Sequence, residues 1–206
     1  MIISAFITHK KAENFSDCQD RFSINVDTKS IALADGLSQS LFPKYWADIL
    51  VRSFTSNPEW IPNLASVREL APQWLDIVNS IVQKQYLEGC NSAWRAERSL
   101  KEGRSAGATF VGLRFNNYQW ECDVLGDSCL VQVSNNQITK ILTSEEVSAF
   151  DNFPDYYDSN PQKDGKGQLL SDKGIIKEGE TLLLVSDPFS DFLLKNKGSE
   201  FEQYLI

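Results

Sequence analysis

Ile31-Ala32-Leu33-Ala34-Asp35-Gly36 is an apolar run that ends on a carboxylate and a glycine. A run of this length and composition reads as a strand buried on both faces, and a carboxylate where the chain leaves the sheet can face a cleft while its backbone stays rigid. Gly36 sharpens the reading. With no Cβ it permits a tight turn and lets its carbonyl come close to a bound ion. The pattern returns in Leu182-Leu183-Leu184-Val185-Ser186-Asp187. Asp35 and Asp187 are therefore candidate metal ligands at two strand exits.

Outward from Asp35, period-two apolar patterning predicts strands over 2–8, 21–27 and 29–35, with Asp27-Thr28-Lys29 as the turn joining the last two. From 41 to 56 the period lengthens to that of a helix, which Pro43 tolerates in its first turn. Pro58, Pro62 and Pro72 punctuate a connection to a longer helical segment over 73–101, which Gly89 is placed to split. Strands resume at 108–115, 119–125, 129–133 and 137–142, joined by Asn-Asn turns and expected as one meander. Residues 151–167 read as a long polar loop and 188–196 as a final helix. Strands and helices in these blocks predict an α+β fold, with antiparallel sheets stacked on each other and covered by helices.

The 206 residues suffice for a substantial core, and 1–206 are expected to form a single domain. Acidic residues outnumber basic ones by 28 to 20, a formal charge of -8. That charge repels phosphate backbones and anionic membranes, so no nucleic-acid or membrane partner is expected, and a cationic cofactor suits the balance better. Cys18, Cys90, Cys122 and Cys129 have neither metal-finger nor disulfide-framework spacing, which predicts a reducing, cytoplasmic setting. The apolar start is too short for a signal segment, and Lys10 and Lys11 follow it rather than precede it. No run approaches the roughly 20 apolar residues of a membrane span.

His9-Lys10-Lys11, Cys18-Gln19-Asp20-Arg21-Phe22, Ala34-Asp35-Gly36, Gly107-Ala108-Thr109, Leu125-Gly126-Asp127-Ser128 and Ser186-Asp187-Pro188-Phe189-Ser190-Asp191 follow one another along the chain. Singly, each is a common turn or tripeptide. In this order they resemble the motifs of the metal-dependent protein phosphatases of the 2C family. The resemblance is to the bacterial branch whose first motif reads Cys-Gln-Asp after an upstream His.

The resemblance implies a four-layer αββα sandwich with two Mn²⁺ or Mg²⁺ ions in a cleft between the sheet ends. Asp35 bridges both ions in that pattern, Gly36 gives its carbonyl to one and Asp187 its carboxylate to the other. Asp20 and Gln19 act through coordinated water, and Asp127 helps hold a third, weaker ion. The implied activity is hydrolysis of phosphoserine and phosphothreonine in protein substrates by a metal-activated water. An Arg that many members carry before the first acidic motif is missing from Asn14-Phe15-Ser16-Asp17. Lys10, Lys11 or Arg21 is expected to bind the phosphate instead. Leu37 stands where some members have a His, which leaves His9 or solvent as the general acid, and Pro188 replaces a Gly.

Residue chemistry alone points the same way. Carboxylate and carbonyl oxygens suit hard divalent cations, and these neutralise phosphate charge. His9 is the only histidine, which rules out a three-histidine zinc site and leaves a Ser-His-Asp triad one candidate. Blander readings compete. Asp187 before Pro188 suits a helix N-cap, Asp35-Gly36 a turn, Asp127 a hairpin and Asp20 a surface charge.

The family's last ligand, an Asp followed by Asn, has no counterpart in 188–206, which hold Asp191 alone. The sequence is therefore expected to be a C-terminally truncated piece of a longer phosphatase. A degenerate pseudophosphatase that binds a phosphoprotein without turnover is the first alternative. A phosphatase of a small phosphorylated metabolite is the second.

Overall fold

The hairpin leading into Asp35 is β1 (Arg21–Asn25) and β2 (Ser30–Ala34). After it come the helices α1 (Pro43–Ser56), α2 (Leu64–Arg68), α3 (Ala71–Leu87) and α4 (Ala93–Lys101). The strands β3 (Gly107–Ala108), β4 (Phe110–Asn116), β5 (Gln119–Leu125), β6 (Cys129–Ser134) and β7 (Gln137–Leu142) follow. The order closes with β8 (Tyr157–Asp158), β9 (Leu170–Ile175), β10 (Thr181–Val185), α5 (Phe189–Lys195) and a short 3₁₀ turn, Glu200–Tyr204. This computed structural model describes residues 2–8, 14–144 and 154–204.

Two larger antiparallel sheets result, one in the order β1-β2-β4-β5-β9 and one in the order β10-β6-β7. Side-chain alternation sorts their residues into three separate layers of core. Phe110, Leu125, Ala32 and Ala34 face Trp46, Leu50 and Phe54 of α1 and Trp74 and Val78 of α3. Val111, Leu113, Trp120, Cys122 and Val124 turn to the opposite face and meet Leu130, Leu142, Leu182 and Leu184 of the second sheet. Beyond that sheet, Cys129, Val131, Val133 and Val185 pack under Leu193 and Phe201. Helices, sheet, sheet and helices is the expected α+β sandwich.

Helix α1 holds the first layer. Pro43 opens it, where a missing N–H costs nothing, and Trp46, Leu50 and Phe54 recur along its buried side. Trp46 Nε1 donates to the Tyr157 carbonyl at 2.9 Å, so this fully buried indole spends its one donor. At the other end, Arg114 Nη2 donates to the carbonyls of Phe54, Asn57 and Trp60 at 3.1, 3.2 and 2.8 Å, while its guanidinium lies 3.7 Å from the Phe54 ring centroid. A cation there satisfies carbonyls that the helix end leaves open and complements its dipole.

Three expectations need correction. Residues 2–8 form no strand, and Ile2 and Phe6 stand in solvent rather than in a sheet. The strands from 107 to 142 are not one meander: β4–β5 and β6–β7 are hairpins in different sheets, and residues 126–128 turn the corner between them. Inside the expected loop 151–167, β8 pairs with β3, and just beyond it β9, for which no strand was expected, forms an edge of the first sheet. The helical segment does divide at Gly89, whose φ of +69° ends α3.

The cysteines are free and differ sharply in exposure: Cys18, Cys122 and Cys129 are buried and Cys90 is exposed. Burial pushes the Cys122 thiol well above its usual range and Cys129 to about 12, so both are protonated and unreactive at neutral pH. Iodoacetamide should therefore modify one thiol in the native protein, at Cys90. Peptide mapping that found Cys122 labelled at a similar rate would contradict the packing between the sheets.

Candidate active site

The strand register assembles the site. Arg21 pairs with Ala34, so Asp20 and Asp35 leave the first sheet level with each other, at the same end. Asp35 is held there from both backbone atoms: its N–H donates to Thr109 Oγ1 at 3.3 Å and its carbonyl accepts from Thr109 N at 2.9 Å. Gly36 continues as a bridge opposite Ala108. In the second sheet Val185 pairs with Cys129, which carries Ser186-Asp187 and Asp127-Ser128 out at one end as well.

Two hydroxyl contacts join the sheets at this end. Ser186 Oγ donates to Asp20 Oδ2 at 3.1 Å, linking residues 166 positions apart, and Thr109 Oγ1 lies 2.7 Å from Ser128 Oγ. The four acidic positions therefore share one edge of the sandwich, with Asp127 buried, Asp20 and Asp35 half-buried and Asp187 exposed. Thr109 and Ser186 appear in the sequence motifs only as neighbours of more conspicuous residues. Their role shows once the two sheets are stacked.

Gly36 is required for a reason other than a turn. A Cβ there would lie 2.8 Å from the Cβ of Pro43, so the glycine lets the start of α1 press against the strand exit. Gly126 has φ +95°, and a Cβ would lie 2.5 Å from the Asp155 carbonyl oxygen. That contact docks the polar segment beside the corner that carries Asp127. The same segment is ordered by the bridge between Tyr156 and Lys166, by an ion pair of Arg68 with Asp164, and by the Tyr157 hydroxyl donating to the Pro62 carbonyl.

Beside this edge, Cys18 Sγ lies 3.6 Å from the Thr8 carbonyl. Burial raises its thiol pKa, and the nearby Asp20 and Asp35 charges raise it further against the opposing Asp20 backbone hydrogen bond and Arg21. The candidate donors Asp20, Asp35, the Gly36 carbonyl, Asp127 and Asp187 are all oxygens, a set that fits hard divalent cations. Among the described residues, no three histidine, cysteine, aspartate or glutamate side chains are arranged to hold a metal ion.

Of the expected phosphate-binding residues, Arg21 turns its Nη1 onto the carbonyls of Cys18 and Asp20 at 2.9 and 2.5 Å and so shapes the segment bearing Asp20. His9 and Lys10 lie outside the described residues, as does Lys11. Asp187 stands before the helix and not at its cap, since α5 begins at Phe189 behind Pro188. Asp127 is no hairpin residue, because β5 and β6 belong to different sheets. An open hollow lined by Arg114, Glu121, Asp123, Ser171 and Lys173 contains none of the candidate ligands. No helix among the described residues is long and apolar enough to cross a membrane.

The family model described as protein phosphatase 2C matches residues 9–205. No curated protein matches the chain by sequence. Among solved structures, a bacterial serine phosphatase superposes with a TM-score of 0.52 at 15% identity, covering 87% of this chain and 76% of that one. PppA of Pseudomonas aeruginosa, described as a key regulatory component of its T6SS, gives 0.50 at 17% identity, with 89% and 75% covered. The serine/threonine phosphatase PstP/Ppp of Mycobacterium tuberculosis gives 0.50 at 15%, with 89% and 76% covered. At these identities the likeness is one of fold.

Proposed function

The chain belongs to the protein phosphatase 2C family, and from that premise we propose that it is a metal-dependent serine/threonine phosphoprotein phosphatase whose site is the acidic edge. The observation that carries the reading is the link across the sandwich, Ser186 Oγ to Asp20 Oδ2 at 3.1 Å, which ties together the strand exits bearing Asp20, Asp35 and Asp187. Asp35, the Gly36 carbonyl, Asp187 and Asp20 would hold two Mn²⁺ or Mg²⁺ ions, and Asp127 a third. When bound, such ions neutralise phosphate charge and make a coordinated water acidic enough to serve as nucleophile near neutral pH.

The protein's own part is positional. Thr109 fixes the Asp35 backbone through two hydrogen bonds, Ser186 orients the Asp20 carboxylate, and the missing side chain of Gly36 lets the start of α1 press against the strand exit. These contacts would leave the strand exits in place when ions bind, with the carboxylates and the Gly36 carbonyl supplying the ligands.

One observation favours a second reading. No acidic triad stands arranged for a metal among the described residues, which suits a pseudophosphatase that binds phosphoprotein without turnover. Hydrolysis of p-nitrophenyl phosphate with and without Mn²⁺ separates the two, and comparison of phosphothreonine peptides with small phosphorylated metabolites identifies the substrate class. Manganese-dependent turnover with a preference for the peptides is expected. Binding of phosphopeptide with no turnover under any divalent ion would establish the second reading.

A further inference from the structure

Divalent ions held by the carboxylates would offset part of the charge of a phosphate dianion at this edge, and a cationic side chain on the same rim would offset more of it. Arg21 and Lys44 are basic residues next to the segments that carry Asp20 and Asp35, and Arg21 already directs Nη1 to the carbonyls of Cys18 and Asp20. We infer that Lys44 binds the phosphoryl group of the substrate. The inference rests on the reading of this edge as a phosphoester site and adds to it the residue that receives the anion.

Lys44 is the second residue of α1 and follows Pro43, the residue against which Gly36 is packed. Its backbone is thereby fixed next to Asp35-Gly36. Its Nζ reaches across to the Ser16 carbonyl at 2.9 Å, four residues before Asp20. The ammonium therefore spans the gap between the two segments that carry Asp20 and Asp35. An ammonium has three donors, and one is used here. Lys44 forms no ion pair among the described residues, which it shares with Lys29, Lys163, Lys173, Lys177 and Lys197, and its Nζ also lies 5.3 Å from the Tyr45 ring centroid; what sets it apart is its place beside Asp35-Gly36. The first turn of α1, which has no side-chain cap, adds the positive end of its dipole from the same side.

Lys44 could instead serve as a staple for the 14–17 turn, and the test separates the two roles. With the protein loaded with Mn²⁺, binding of inorganic phosphate is measured by calorimetry and by competitive inhibition, in low and high salt. Lys44→Gln, which removes the charge but keeps a donor, should weaken phosphate binding about tenfold, the worth of one charge-assisted hydrogen bond. It should also flatten the salt dependence, because a screened charge has been lost. Mn²⁺ affinity and melting temperature should stay unchanged, and Lys44→Arg should restore phosphate affinity.

Wild-type phosphate affinity and salt slope in Lys44→Gln would overturn the inference, as would equal losses in Gln and Arg variants accompanied by a lower melting temperature. Absence of phosphate binding in the wild type would overturn it as well. If phosphate binds in a Lys44-dependent way but no phosphoester is turned over, the inference stands and the catalytic reading fails.

Discussion

Asp35→Asn should abolish phosphoester hydrolysis, with kcat falling by on the order of a thousandfold or more and Mn²⁺ binding weakened in parallel, while the fold is retained. The substitution conserves shape, removes the charge and turns one acceptor oxygen into an amide donor. Both backbone contacts of Asp35 to Thr109 survive it, since they use the main-chain N–H and carbonyl. Stability should not fall, because one of several like charges on a shared edge is removed and its repulsion goes with it. Steady-state assays at saturating Mn²⁺, calorimetric Mn²⁺ titration and thermal melting check the three parts separately. Unchanged Mn²⁺ affinity would remove Asp35 from the ligand set.

Gly126→Val should cost about 2–5 kcal/mol of stability, summing the strain of a β-branched residue at positive φ and an overpacked contact. The nearest contact is with backbone, the Asp155 carbonyl oxygen at 2.5 Å, and the next is Thr109 Cγ2 at 2.8 Å, on a short side chain whose hydroxyl is hydrogen-bonded to Asp35 N–H and Ser128 Oγ. Neither can swing away as a flexible side chain would. The corner carrying Asp127 and the segment docked on it must part, so activity should fall along with stability. Gly103→Val is the control, since its φ is +73° but nothing lies within 4 Å of the added atom. Urea denaturation of both variants isolates the docking contact. Equal losses in the two would mean that Gly126 matters for backbone conformation alone.

What the sequence made legible follows from which forces are local. The bounds of β5 and β7 match their patterned runs because both alternate cleanly between a buried and a less buried face. Helix α1 was readable from its apolar spacing and from Pro43 at its start. The second block of strands was misjudged because a turn read from Gly126-Asp127-Ser128 looks the same whether the next strand pairs or crosses to another sheet. Only the facing hydrophobic layers, Val111 and Trp120 against Leu130 and Leu182, distinguish the cases, and these are long-range.

Strand β9 escaped notice for another reason. Leu170–Ile175 is a polar edge strand with little alternation, and its Gly174 lacks a side chain so that Trp120 can pack over it, with an added Cβ only 2.4 Å from the indole. At the site, Asp35 and Asp187 stood out because each follows an apolar run, and Asp20 and Asp127 through the motifs that resemble the family's. Thr109, Ser186 and Lys44 did not, since a hydroxyl or an ammonium gains its meaning from a partner 19, 166 or 28 positions away.

The central claim is that the acidic edge is where divalent ions bind. Crystals grown or soaked with Mn²⁺ and measured at the manganese absorption edge locate the ions directly. The account predicts anomalous peaks between the strand exits, ligated by Asp35, the Gly36 carbonyl and Asp187, with Asp20 reached through water and Asp127 beside a weaker peak. Peaks at the hollow near Glu121 and Asp123, or an acidic edge without manganese at saturating concentration, would contradict it.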